Sequence, residues 1–241
     1  MTLYEDIGHG FEEIRPWSSR TVEKHAMSLD PPGLTIASFV KHQDSLNVSL
    51  AFDRIRSIRP TFVPYANQLH ITMLGVLDAS QPALSLCQRN ELTACLSGSI
   101  GSVANQYQPM CLHFRTIRPG IFRGAQRTSD GTMIWLVEHA DERKVLDFSD
   151  QLHEILQPEV SRIHPDISLR RPFHGVWMTL GYFCDQDFLL DANMESLLES
   201  LKHQSTCVCL NDVALCEFRR KSLGDARVLD VFRYGSRKTC S

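Results

Sequence analysis

Two short stretches of the chain combine apolar strand residues with side chains that can move a proton or hold an anion. In Leu69-His70-Ile71-Thr72-Met73-Leu74, the alternation of a strand sets His70 and Thr72 on one face and Leu69, Ile71 and Met73 on the other. An imidazole that titrates near neutrality then stands beside a hydroxyl donor on a rigid element. Val176-Trp177-Met178-Thr179-Leu180-Gly181-Tyr182-Phe183 repeats the layout, with Thr179 in the place of Thr72 and Trp177 in the place of His70. Just upstream, 159–175 has no apolar period but holds His164, Asp166, Arg170, Arg171 and His174. Loops beside a site often carry function. Each residue alone also fits a plain role: His70, Trp177 and Tyr182 as packed side chains, Arg170 and Arg171 as solvated ones. The pairing of two such strands is what argues for chemistry.

The elements that must position these strands follow from periodicity. Leu34 to Val40 reads as a strand by its β-branched and aromatic content. Helices are expected over 43–58, 82–104, 142–156 and 188–201, from apolar residues at helical spacing. Pro60 and Pro158 stand as the stops of the first and third. Three short runs, 110–117, 120–125 and 132–138, are separated by Pro119-Gly120 and Ser129-Asp130-Gly131 and suggest a β-meander. Strands over 207–219 and 227–234 close the chain. Residues 1–33, with Gly8, Gly10, Pro16 and Pro31-Pro32-Gly33, read as an N-terminal arm in which Phe11, Ile14 and Trp17 could dock on the body. Residues 34–241 read as one bilobal domain whose halves repeat in layout.

Composition bounds the partners. The chain has 241 residues, 43% hydrophobic and 22% charged, with a net charge of -3. That is an ordinary globular balance without a broad basic surface, so no long-duplex nucleic acid is expected as partner. No run approaches the ~20 apolar residues of a membrane span, and the acidic N-terminus lacks a signal-peptide centre, so no membrane partner and a cytoplasmic location are expected. The eight cysteines include no C-x-x-C pair, and Cys207-x-Cys209 is strand spacing. They read as reduced, mostly buried thiols, with no metal site and no cofactor.

The two motif strands resemble those of the two-histidine phosphoesterase superfamily, which includes RNA 2',3'-cyclic phosphodiesterases and the so-called 2'-5' RNA ligases. The resemblance covers roughly 34 to 234 by order of elements, and its specific part is Leu69–Leu74 and Trp177–Phe183. It implies an α+β, bilobal fold: two antiparallel-rich sheets flanking a central cleft, with helices outside. It further implies a metal-independent phosphodiesterase acting on a cyclic phosphate or a short 2'-5' or 3'-5' nucleotide. In that reading His70 is an acid/base, Thr72 and Thr179 bind phosphate, and Trp177, Tyr182 and Arg171 contact a small nucleotide or RNA end; the chain is expected to be a monomer. Trp177 departs from the family, where a second histidine belongs. His174 could replace it if Gly175 re-aims the chain, because strict alternation puts an i-3 residue on the opposite face. Otherwise the indole faces the cleft, which becomes a catalytically weakened nucleotide- or RNA-end-binding module; alternation favours that arrangement.

Overall fold

The structure is a computed structural model, and it describes residues 29–40, 46–64, 69–78, 81–122, 128–172, 175–183, 192–201, 206–219, 223 and 226–235. Residues 1–28 of the expected arm lie outside this set. Among the described residues, nine strands and four helices follow in the order β1 (Gly33–Phe39), α1 (Leu46–Ile58), β2 (Phe62–Pro64), β3 (His70–Leu77), α2 (Leu86–Ala104), β4 (Met110–Phe122), β5 (Thr128–Val137), α3 (His139–Ile163), β6 (Trp177–Phe183), α4 (Ala192–Leu201), β7 (Thr206–Leu210), β8 (Asp212–Phe218) and β9 (Arg227–Arg233). The fold is α+β. One sheet has the order β3-β1-β8-β9 and the other β2-β6-β5-β4-β7, and every pairing is antiparallel.

The helices take their places by burying one stripe each. In α3 the residues Val145, Phe148, Leu152, Leu156 and Val160 are fully buried, at the spacing of one helical face. This face packs on β3 and on β4, so a single helix ties the two sheets together. The start of α2 is set by a capping box. Ser85 Oγ accepts from the Gln88 backbone N–H at 3.3 Å, and Gln88 Oε1 accepts from the Ser85 N–H at 3.1 Å.

Four expectations need correction. Pro158 does not end the third helix, which runs on to Ile163. An interior proline costs about 3 kcal/mol, but its ring sits on the exposed side while Leu156 and Val160 on either side are fully buried, each worth about 1.5–3 kcal/mol. The three short runs after Gln108 are two long strands, because Pro119-Gly120 lies at a register shift inside β4 rather than in a turn. Proline is tolerated at such bulges. The expected strand 207–219 is two strands in different sheets: Asn211 breaks it, its carbonyl accepting from the Tyr234 N–H at 3.2 Å. Finally, the cysteines are not uniformly reduced and buried. Cys111 and Cys209, cross-strand partners on β4 and β7, form a disulfide, and Cys87 and Cys207 are exposed. Cys216 does behave as a buried thiol, with burial pushing its pKa up to about 12.

Candidate active site

The strand that carries His70 is bulged directly beyond the motif. Its register with β1 runs Phe39↔His70, Ser38↔Ile71 and Ala37↔Thr72, then jumps to Ile36↔Leu74, and jumps again between Thr35↔Gly75 and Leu34↔Leu77. Met73 and Val76 are the extra residues. His70 and Thr72 precede both bulges, so simple alternation holds for them. Past Met73 it fails: Leu74, which an unbroken strand would set beside exposed Thr72, is fully buried.

Backbone carbonyls at a bulge need other donors. The Thr35 hydroxyl donates to the Leu74 carbonyl at 3.2 Å, and the Ser149 hydroxyl, from α3, donates to the Met73 carbonyl at 2.7 Å. Both hydroxyls are buried. The outer edge of β3 is held by a two-bond bridge, Gly75 N–H to the Arg170 carbonyl and Arg170 N–H to the Gly75 carbonyl, each 2.8 Å. A side chain at position 75 would bring a Cβ to 3.4 Å from that of Arg170, so glycine lets the loop lie close. The same loop then turns through Gly175 at φ 111°, a conformation that glycine adopts freely. The Val176 carbonyl accepts from Val137 N–H at 3.0 Å and feeds the chain into β6.

These connections bring the two motif strands to one cavity. His70 and Thr72 from one sheet, and Trp177 and Thr179 from the other, line a space of about 280 Å³ rimmed by Arg170 and Arg171. A larger space of about 490 Å³ adjoins it, sharing His70, Thr72, Arg170 and Trp177 and reaching Asp78 and Gln81. Together they match the ~300–1,000 Å³ of ordinary small-molecule sites. The His70 side chain is nearly enclosed, its ring tilted 50° against Phe39 at 5.8 Å. Half-buried Trp177 packs against Ile134 and Leu136, which steady one side of the indole. Arg170 pairs with Asp78 at 2.6 Å, and Arg171 with Asp150 on α3 at 2.8 Å.

Several sequence candidates fall elsewhere. His174 and the Tyr182 side chain lie outside the described residues. The His164 Nδ1 accepts from the Asp166 N–H at 3.4 Å in the turn that follows α3, away from the cavity lining. What the sequence did not disclose are the supports: Thr35 and Ser149 under the bulge, and Asp78 beside Arg170. Arg118 was missed too. It is buried, and the register Arg118↔Ile134↔Thr179 sets it on the same sheet face as Thr179. Its only signal was a charge inside an apolar strand, which a turn reading of Pro119-Gly120 concealed.

No family model matches the chain, and no curated protein does. Solved structures do resemble it. TT0787 of Thermus thermophilus is 18% identical with a TM-score of 0.52, covering 85% of this chain and 99% of that one. E. coli LigT in apo form is 13% identical at a TM-score of 0.45, with 85% and 99% covered. LigT complexed with 3'-AMP is 13% identical at 0.43, with 86% and 99% covered. At such low identity the likeness to TT0787 speaks for architecture alone: this chain shares its fold.

Proposed function

We propose that this cavity takes the phosphodiester of a small nucleotide or an RNA end, and that the chain hydrolyses it without a metal, as a two-histidine-type phosphodiesterase. One observation carries the reading: His70, Thr72 and Thr179, from strands of two different sheets, line one cavity. A hydroxyl from each sheet can donate to the non-bridging oxygens of a phosphate as charge builds on them. His70 can take a proton from the attacking oxygen or give one to the leaving oxygen. Arg170 and Arg171 supply positive charge at the rim, where charge-assisted bonds to phosphate are strong. The other proton step falls to His174 if the Gly175 turn directs it inward.

A second reading rests on Trp177. An indole in the place of the second histidine, backed by Ile134 and Leu136, suits stacking on a nucleobase or sugar. The chain is then a binding module that holds its ligand without turning it over. Both readings take residues 34–241 as one domain and the chain as a monomer. Calorimetry and turnover assays on a panel of cyclic nucleotides and 2'-5' dinucleotides separate them. Turnover that His70→Ala removes supports the enzyme, and tight binding without turnover supports the module. Neither binding nor turnover on any member of the panel sinks both.

A further inference from the structure

A second group of reactive side chains stands at the far edge of the five-stranded sheet. There β7 pairs with β4 alone among the described strands, so that Cys111 faces Cys209 and His113 faces Cys207. Residues i and i+2 share a face on both strands, so these four side chains occupy one face of one strand pair. The residues between them, Leu112 and Val208, are fully buried on the other face. The Cα atoms of Cys111 and Cys209 are 4.2 Å apart, the closeness of a non-hydrogen-bonded pair, and His113↔Cys207 two positions on is a pair of the same kind. All three sulfurs lie within 4.8 Å of one another. Tetrahedral zinc, with Zn–S bonds of about 2.3 Å, holds its sulfurs roughly 3.8 Å apart.

His113 stands across the ladder from Cys207, outside the group of three sulfurs, and is held by Asp141. Its backbone N–H and its Nδ1 both meet Asp141 Oδ2 at 2.8 Å. With Nδ1–H donating to the carboxylate, the Nε2 lone pair is left for a metal, the arrangement that commonly accompanies histidine ligands. The imidazole is half-exposed, and to reach the sulfurs it must pivot about that Asp141 bond. Lys144 bonds Asp141 and also donates to the Cys111 carbonyl at 3.2 Å, so the carboxylate behind His113 is itself held in place.

We propose that the reduced chain binds one zinc ion at this edge through Cys111, Cys207, Cys209 and His113. The ladder supplies a histidine from the facing strand, in register with Cys207. The disulfide between Cys111 and Cys209 is the oxidised form of the same site. A dithiol reductant opens it, giving two electrons and two protons to form two thiols and leaving as its own disulfide. Zinc then displaces the thiol protons of the three cysteines to solvent. The oxidised chain keeps only Cys207 and His113 and does not hold the ion.

The test is a titration of the full chain with cobalt(II), a spectroscopic stand-in for zinc, after reduction with a dithiol and anaerobic desalting. Expected are one equivalent bound, thiolate-to-cobalt charge-transfer absorption with the intense visible bands of a tetrahedral centre, and bleaching of both when zinc is added. The oxidised chain should show none of this. Cys207→Ser and His113→Gln, both at exposed positions, should each weaken or alter the spectrum, with thermal melts confirming folding. Asp141→Asn should weaken affinity about 10- to 100-fold while keeping the band positions. No tetrahedral signal in the reduced wild-type chain overturns the proposal. So does a spectrum and affinity indifferent to Cys207→Ser, or a Cys111–Cys209 bond that excess dithiol leaves closed.

Discussion

The two motif strands solve the same problem in opposite ways. β6 is an interior strand, paired with β2 on one side and β5 on the other, and Gly181 lets β2 come so close that an added Cβ would meet the Val63 carbonyl at 2.3 Å. β3 is an edge strand with two bulges, its carbonyls taken by Thr35 and Ser149 and its outer side bridged by Arg170. The interior strand is therefore held by its ladder, and the edge strand by side chains from elsewhere. The imidazole sits on the strand whose geometry depends on those distant supports, and the indole on an interior strand, bulged in its turn at Leu180, that has a partner strand on each side.

The sharpest way to break this contrast is at the imidazole itself. His70→Ala should lower turnover by ~10²- to 10⁴-fold, the range for a lost acid or base, with ligand affinity largely kept. His174→Ala should match it if both act on protons, and should be nearly silent if the chemistry rests on His70 alone. Steady-state rates with parallel calorimetry read the difference. On β6 the expected loss is of another kind: Trp177→Ala should weaken binding by about 1–3 kcal/mol, as for a removed stacking platform. Trp177→His should raise turnover, and a flat response there would show that the second position no longer reaches the reacting atoms.

A subtler probe is the support of β3. Ser149→Ala leaves the buried Met73 carbonyl without its hydroxyl donor and should cost about 1–3 kcal/mol in a denaturant melt. It should also lower turnover more than it lowers affinity, because His70 is three residues from that carbonyl. Equal loss in both would mean that Ser149 merely stabilises the fold. The smallest expected effect is that of chelation. EDTA should leave turnover unchanged, since the proposed chemistry uses protons alone, even while it strips zinc from the cysteine edge. Loss that added zinc or manganese restores would contradict a metal-free cleft.

The parts of this arrangement that sequence disclosed are those written in local alternation. His70 and Thr72 before the first bulge of β3, and Trp177 and Thr179 before the bulge at Leu180 in β6, obey period two, so their shared faces could be read directly. The helical stripes were legible for the same reason, within a few residues at their ends except where α3 runs on past Pro158 to Ile163. Bulges, by contrast, are set by partners: nothing near Met73 announces that Ser149 on α3 will take its carbonyl. Proline was over-read, since Pro119 and Pro158 look like breaks unless the burial around them is known. The three-residue β2 was too short to leave a pattern at all. Cys207 and His113 were legible as residues but not as neighbours, because only the antiparallel register of β7 on β4 brings them face to face.

The strand switch at Asn211 bears on how the molecule is made. Since β7 and β8 are consecutive in sequence yet belong to different sheets, the halves of the chain are not the halves of the body. Ile36 pairs with Leu215, so during synthesis β1 and β3 emerge early with one edge open, and wait until Asp212–Phe218 has been made before β8 covers it. Such an edge invites pairing with a neighbouring chain. Truncation before β8 should therefore yield aggregates rather than a smaller folded lobe, because β8 and β9 close a sheet that β1 and β3 begin.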